Sequence, residues 1–158
     1  MHRSFSETKF LCYKACVGAG IDVGRAEDIA SSAVRIGAYQ SEIFDFLPNL
    51  IRTTKAQPHI LDVSRKVADF GDVSVINDGP FFVDFLQSNL YRQINIRRID
   101  SVLLLVGFCL HLAPELSLSL SLNKKVVARF FEYSLAADGE FLISNKADYV
   151  TLEITDKI

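Results

Sequence analysis

Four residues of this sequence have the side chains and the pairwise spacing that a zinc ion requires. Cys12 and Cys16 lie one helical turn apart, and Cys109 and His111 lie on one side of a single apolar segment. If the fold brought the two pairs together, they would supply the ligands of a tetrahedral site. The C-x-x-C loops of structural zinc sites are absent, and free cysteine more often behaves as a small buried hydrophobic residue. We therefore expect no metal and no cofactor, with zinc as the alternative.

A second group of polar residues would suit acid–base chemistry or ligand recognition. A small enzyme or ligand-binding protein would hold them in a pocket between a helix at about residues 80–91 and a sheet. No G-x-S-x-G elbow, P-loop, H-E-x-x-H motif or calcium loop is present. A histidine in an apolar segment is also more often a core residue than a catalyst. We therefore predict no catalytic site, and the candidates for the alternative pocket are Asp84, His111, Arg129, Glu132 and Tyr133.

The glycines of residues 18–24 come close to a dinucleotide-binding fingerprint. The third glycine is one residue late, and a helical pattern precedes the segment where the fingerprint needs a strand. We therefore interpret the segment as the end of a helix followed by a turn.

Six basic residues of the second half are candidates for one binding surface at an edge of the sheet. The net charge of −2 gives no overall field that would draw the chain to nucleic acid or to anionic lipid. Charge at a sheet edge usually prevents association between sheets, and a surface for an acidic partner is the alternative. The six residues are Arg92, Arg97, Arg98, Lys124, Lys125 and Arg129.

Local signals predict two helices at the N-terminus. Ser4 and Glu7 have capping-box spacing, and glycines end the first helix. Asp22 is suited to cap a second helix that reaches about residue 39. This second helix carries equal numbers of acidic and basic side chains, which argues against a DNA-reading helix-turn-helix. Small residues on the inner stripe of the second helix predict a tight antiparallel hairpin in which alanines face Cys12 and Ala15 of the first helix. The stripe consists of Ala26, Ile29, Ala30, Ala33 and Gly37.

The next segment gives weaker signals. Ser41 can cap a short third helix that Pro48 ends or kinks, and residues 53–58 read as a loop. Residues 60–70 fit a helix loosely, and residues 72–77 fit a short strand. A helix with a wide aromatic face then begins at the Asp-Gly-Pro turn of residues 78–80.

Residues 101–122 organise the second half of the predicted fold. Residues 102–112 are apolar on both alternating sets, which predicts a central strand buried on both faces and closed by Pro114. In LSLSLSL, residues 116–122, strict alternation of leucine and serine predicts a second strand. The longest apolar run is too short for a membrane-spanning helix, which needs roughly 20 residues.

Turn signals divide the rest of the chain into strands. Strands at residues 126–135, 141–144 and 149–155 follow turns at Asn123-Lys124, Asp138-Gly139 and Asn145-Lys146. The sequence thus predicts one α+β domain over residues 1–158. Its helical half spans about residues 4–91, and an antiparallel meander of about four or five strands spans residues 94–155.

Composition favours a soluble globular protein. Apolar residues make up 49% and charged residues 23% of 158 residues, which is sufficient for one core. Three cysteines without a close-spaced framework favour a reducing compartment. No apolar signal segment follows Met1, so we expect a cytoplasmic protein.

The N-terminal third resembles a family of uncharacterised bacterial proteins catalogued as domain of unknown function 3726. The resemblance covers about residues 4–47, and it implies a bacterial cytoplasmic protein without implying a reaction. The hairpin is also similar to the N-terminal helices of the non-Rossmann malate/lactate dehydrogenases, whose catalytic body has no counterpart here. The motifs that carry the resemblance are Ser6-Glu7, Lys14-Ala15, Gly18-Ala19-Gly20, Ala26-Glu27, Ala30 and Ala33.

The expected function is therefore a non-catalytic domain that self-associates or binds another protein. The positive argument is that a long, regular strand such as LSLSLSL makes a pairing edge unless the fold covers it. The enzyme or ligand-binding interpretation stays as the alternative.

Overall fold

The computed structural model describes residues 3–53, 60–64, 66–88, 90–132, 134–138 and 146–155. Within these residues the chain forms five helices and seven strands. They are α1 (Phe5–Gly18), α2 (Val23–Gly37), α3 (Ile43–Arg52), β1 (Ile60–Ser64), β2 (Val67–Val73), α4 (Val75–Gln87), β3 (Gln93–Ile99), α5 (Val102–Leu112), β4 (Leu118–Leu122), β5 (Lys125–Phe131), β6 (Ser134–Ala137) and β7 (Ala147–Ile154).

The N-terminal helical hairpin forms as predicted. The Ser4 hydroxyl accepts from the Glu7 N–H at 3.2 Å, and Glu7 accepts from the Ser4 N–H at 2.8 Å. Asp22 caps α2 by accepting from the Arg25 N–H at 2.9 Å. Gly20 makes the turn between the helices with φ 86, a conformation that glycine adopts without steric cost.

The third helix departs from its predicted ends. The residue that precedes α3 is Glu42, which makes no side-chain cap, so Ser41 does not cap the helix. Pro48 lies inside α3, which continues to Arg52. The predicted loop at residues 53–58 lies, except for Thr53, outside the described residues.

The strands form one mixed sheet in the order β1-β2-β3-β7-β4-β5-β6. β2 and β3 are parallel neighbours connected through α4, and β7 lies between β3 and β4, antiparallel to both. The α+β class, with helices mainly N-terminal and strands mainly C-terminal, is confirmed. β4, β5 and β6 pair successively and antiparallel, as the predicted meander requires. The meander is wrong only for β7, because local turn signals cannot indicate that a late strand inserts between two earlier ones.

Residues 102–112, predicted as a central strand, form helix α5 instead. All residues from Val102 to Leu110 are buried, so apolar side chains surround this helix on every side. The Ser101 hydroxyl caps it by accepting from the Leu104 N–H at 3.2 Å. An apolar run on both alternating sets is equally expected for a buried strand and for a helix buried all round, and the alternation was the wrong criterion. Among the described residues, no helix has the length and hydropathy needed to span a bilayer.

Two further predictions fail just before α4. Within residues 60–70, predicted as a loose helix, residues 60–64 and 67–70 lie in the antiparallel strands β1 and β2. The predicted strand at residues 72–77 ends at Val73, and α4 already begins at Val75, three residues before the Asp-Gly-Pro turn. Residues 78–80 are therefore part of the helix. The carboxylates of Asp78 and Asp100 favour this earlier start because they accept hydrogen bonds from the Ser74 and Val75 N–H groups.

The C-terminal strands follow local turn chemistry more closely. LSLSLSL contains β4, with Leu118 and Leu120 buried, and Asn123-Lys124 turns with φ 49 and 69. The predicted strand at residues 126–135 is broken at Glu132, which has φ 47, into β5 and β6. The predicted Asp138-Gly139 turn and the strand at residues 141–144 lie, apart from Asp138, outside the described residues.

One face of the sheet packs on the helices and the other is polar. Phe70 and Ile96 belong to the buried cluster that the sheet shares with the helices. On the opposite face, the Asn95 amide donates to Asp69 Oδ1 at 2.7 Å, and the Thr151 hydroxyl donates to Asn95 Oδ1 at 3.0 Å. A single core therefore lies between the sheet and the helices.

Candidate functional site

A crevice of about 550 Å³ opens at the end of the sheet where β2 and β3 finish. In open α/β sheets, the carboxyl ends of adjacent parallel strands are a common position for ligands. We call this site the carboxyl-end crevice. It is lined by Asn49, Leu50, Thr53, Asp72, Val73, Ser74, Arg98, Ile99, Asp100, Lys146, Ala147 and Asp148.

Arg98 and Asp72 form a bidentate ion pair on the rim of this crevice. Arg98 Nε lies 2.8 Å from Asp72 Oδ1, and its Nη2 lies 3.0 Å from Oδ2. Asp148 is opposite Arg98 in the β3–β7 pairing. The hydrogen bond and charge of Asp72, with a smaller effect of Asp148, raise the pKa of Arg98. Because the ion pair is exposed, solvent screens it, and its side chains can rearrange around a ligand.

Two carboxylates cap the first turn of α4 at the inner wall of the crevice. The Val75 N–H donates to Asp100 Oδ1 at 2.8 Å, and the Ser74 N–H donates to Asp78 Oδ2 at 3.1 Å. A helix N-terminus favours negative charge, so both carboxylates suit this place. The buried Ser74 hydroxyl lies near Asp100 and lowers the pKa of this carboxyl group.

Burial makes these two acids harder to ionise. Desolvation raises the pKa of Asp78 to about 6; Asp100 also raises it, whereas the Ser74 N–H and Arg25 lower it. Desolvation likewise raises the pKa of Asp100, against the backbone N–H donors around it. Asp78 is only 2% exposed, so a substrate has no direct access to its carboxyl group. We assign Asp78 to the hydrogen bonding of the α4 terminus, where it accepts from the Ser74 N–H, and not to a reaction.

Of the five residues predicted for a pocket on the 80–91 helix, the four that the structure describes do not meet there. Phe82 and Leu86 are completely buried, so this side of α4 is filled by side chains. Asp84 is exposed on α4. Arg129 and Glu132 instead share a second crevice of about 380 Å³ at the β5–β6 turn. Tyr133 lies outside the described residues.

His111, the fifth candidate, lies at the end of α5 beside α2. Its Nε2 is 3.7 Å from Asp28 Oδ1. Desolvation lowers the pKa of His111, while Asp28 opposes this effect, so the ring is neutral at pH 7. The side chain is 24% exposed, so His111 lies at the border of the contact between α2 and α5 and not in the core.

The fold does not assemble the alternative zinc site. Among the described residues, no three Cys, His, Asp or Glu side chains form a group that could hold a metal. Burial raises the pKa of all three thiols. The pKa of Cys16 rises to about 11 and that of Cys109 to about 12. Thiols that stay protonated at neutral pH are poor metal ligands and poor nucleophiles.

The strand register divides the six basic residues between the two ends of the sheet. The Arg92 guanidinium donates to the Ile154 carbonyl at 3.5 Å, at the end of β7, whereas Arg98 is level with the start of β7. Lys125 forms an ion pair with Asp138 at 3.3 Å. Arg92 and Arg129 lie at one end, and Arg97, Arg98, Lys124 and Lys125 lie towards the other.

No site was predicted on α1, yet this helix exposes large apolar side chains. Cys12 is buried as predicted, together with Cys16, but Ala15, also predicted to face the second helix, is exposed, and so is Leu11. Phe10 is 55% and Leu11 44% exposed. A usable signal was present, because adjacent apolar residues at 10, 11 and 12 cannot all lie on one side of a helix.

The exposed residues of α1 form a defined surface. Residues at i, i+3, i+4 and i+7 lie on one side of a helix. We call this surface the outer face of α1. It comprises Glu7, Phe10, Leu11 and Lys14.

Comparisons with known proteins give no assignment: no family model matches the sequence, and neither the curated proteins nor the solved structures contain a significant match.

Proposed function

We propose that this chain is a non-catalytic domain that self-associates through the outer face of α1. The observation that supports this proposal is that Phe10 and Leu11, two large apolar side chains, adjoin each other on the surface of a helix that packs on α2. An exposed cluster of this kind on a rigid helix is typical of an interaction surface.

The surface for pairing is α1 and not the serine–leucine strand. β4 lies between β7 and β5 and pairs with both, so its backbone is not available to another chain. The edge-strand argument therefore no longer supports self-association.

Sedimentation velocity from about 1 to about 100 μM tests the proposal, since a single-helix contact is small and should bind in the micromolar range. We expect a concentration-dependent shift from monomer to dimer. Phe10→Ser should weaken the association at least about tenfold, because it removes an apolar contact at the centre of the surface.

Leu90→Ser is the matched control. Leu90 is 69% exposed and lies outside α1, so its replacement removes similar apolar area and should leave the association unchanged. A chain that stays monomeric throughout this range, or equal weakening by both variants, would contradict the proposal.

Ligand binding in the carboxyl-end crevice is a second candidate function. It is favoured by the mixed charge of the lining, in which Arg98 and Lys146 lie close to Asp72 and Asp148. Such a lining suits a small zwitterion such as an amino acid, whose two charged groups can each find a partner. Thermal-shift measurements with free amino acids should show a rise in Tm that Asp148→Asn reduces. No rise with any of them would remove this candidate.

A further inference from the structure

Charges on the outer face of α1 are arranged symmetrically about its apolar centre. Glu7 lies three residues before Phe10, and Lys14 lies three residues after Leu11. The pattern Glu-x-x-Phe-Leu-x-x-Lys therefore reads as acid, two apolar residues and base, with equal spacing on either side. At a rise of about 1.5 Å per residue, the two charges are about 10 Å apart along the helix.

This arrangement distinguishes the two ways in which a second copy of the helix could lie on the first. With the helices parallel and in register, each charge would face its own copy and repel it. With the helices antiparallel about the midpoint between Phe10 and Leu11, Glu7 faces Lys14 of the partner subunit, and Lys14 faces the partner's Glu7. Charge complementarity therefore selects the antiparallel orientation.

We propose that two copies of this chain pair through α1, antiparallel and about a two-fold axis that passes between Phe10 and Leu11. This inference rests on the proposed self-association and specifies its geometry. A two-fold axis makes the interface self-complementary, so every contact occurs twice. Phe10 and Leu11 of both copies then form the apolar centre of the interface, flanked along the helices by two Glu–Lys ion pairs.

The side chains are available for these contacts. Glu7 uses Oε2 to accept from the Ser4 N–H, which leaves Oε1 to accept from a lysine. The Lys14 Nζ lies 5.0 Å from the centre of the Phe10 ring and covers part of it in the monomer. In the dimer, the stem of Lys14 can keep this contact while its ammonium group reaches the partner's carboxylate.

Charge reversal tests the geometry without removing the apolar centre. Lys14→Glu places two pairs of like charges in the interface and should weaken dimerisation roughly tenfold at low salt. Glu7→Lys should do the same, although it also breaks the capping box. The double variant Glu7→Lys with Lys14→Glu restores opposite charges only in the antiparallel pairing, and its dimerisation should return to within about threefold of the unmodified chain.

Lys124→Glu is the control, because it changes the net charge equally at a site in the β4–β5 turn and should leave dimerisation unchanged. Self-association stands if the chain dimerises and Phe10→Ser weakens the dimer. In that case the antiparallel geometry is still wrong if Lys14→Glu has no effect or if the double variant does not recover. If the unmodified chain does not dimerise, both proposals fail. Loss with Lys14→Glu and recovery in the double variant supports the two-fold pairing.

Discussion

α1 and α5 are helices of similar length whose apolar residues have different surroundings. In α5, all nine residues from Val102 to Leu110 are buried. In α1, only Cys12 and Cys16 are buried, whereas Phe10 and Leu11 face outwards. Apolar composition therefore does not by itself show which helix lies in the core. The apolar side chains of the two helices contribute to two different free energies, that of folding and that of association. Those of α5 stabilise the fold, and we propose that those of α1 stabilise a contact between copies.

Replacing one phenylalanine in each helix should give the largest contrast. Phe108→Ala leaves a cavity in the core and should lower the free energy of unfolding by about 3–5 kcal/mol. Phe10→Ala should change it by no more than about 0.5 kcal/mol, because the side chain is half exposed. Urea unfolding followed by circular dichroism, at a concentration where the chain is monomeric, measures both. Similar losses in the two variants would contradict the contrast.

The pH dependence of the free energy of unfolding tests the burial of Asp78 in the same region. Because the folded state raises its pKa from 3.8 to about 6, the folded state binds the proton more tightly than the unfolded state. The contribution of Asp78 is fully favourable below pH 3.8 and is lost as pH rises towards and through 6. Asp78→Asn removes this dependence and can still accept from the Ser74 N–H. At pH 8 the variant should be more stable by up to about 3 kcal/mol, since two pH units correspond to that energy.

The control for Asp78→Asn is the same comparison at about pH 4, where the difference between the two proteins should largely disappear. Stability curves that run parallel from pH 4 to pH 8 would show that Asp78 is not a buried titrating group.

Glycine replacements compare how closely each helix packs. A Cβ on Gly107 would lie 2.5 Å from the Ser32 carbonyl oxygen, so Gly107→Ala must separate α5 from α2. We expect a loss of about 1–3 kcal/mol. Gly18 has no such neighbour within 4 Å, and Gly18→Ala should be neutral or raise stability by up to about 1 kcal/mol. Equal thermal shifts would mean that α2 and α5 do not pack as closely as described.

The smallest expected effects come from the helix caps. Ser101→Ala leaves the buried Leu104 N–H without its acceptor and should lower the free energy of unfolding by about 1–2 kcal/mol. Ser4→Ala should have a smaller effect, because water can replace the hydroxyl at this exposed helix start. Thermal unfolding of both variants checks the order, and a larger loss for Ser4→Ala would reverse it.

The carboxyl-end crevice could not be predicted from local patterns. Three of its charged residues, Asp72, Arg98 and Asp148, belong to three different strands, and β7 follows β3 by nearly fifty residues. No spacing in the sequence indicates that β7 inserts beside β3. The outer face of α1 could be predicted in part, because the capping box and the adjacent apolar residues are visible in the sequence.

The sequence by itself determined those features that depend on neighbouring residues: the capped helical hairpin, the Asn123-Lys124 turn and the alternating strand β4. These arise from hydrogen bonds and side-chain directions within a few positions. Only the tertiary structure decided that residues 102–112 form a helix, where β7 pairs and which side of α1 faces water. Those outcomes depend on which distant segments pack together and so remove apolar surface from water. Sequence periodicity carries no information about which distant segment packs against a given one.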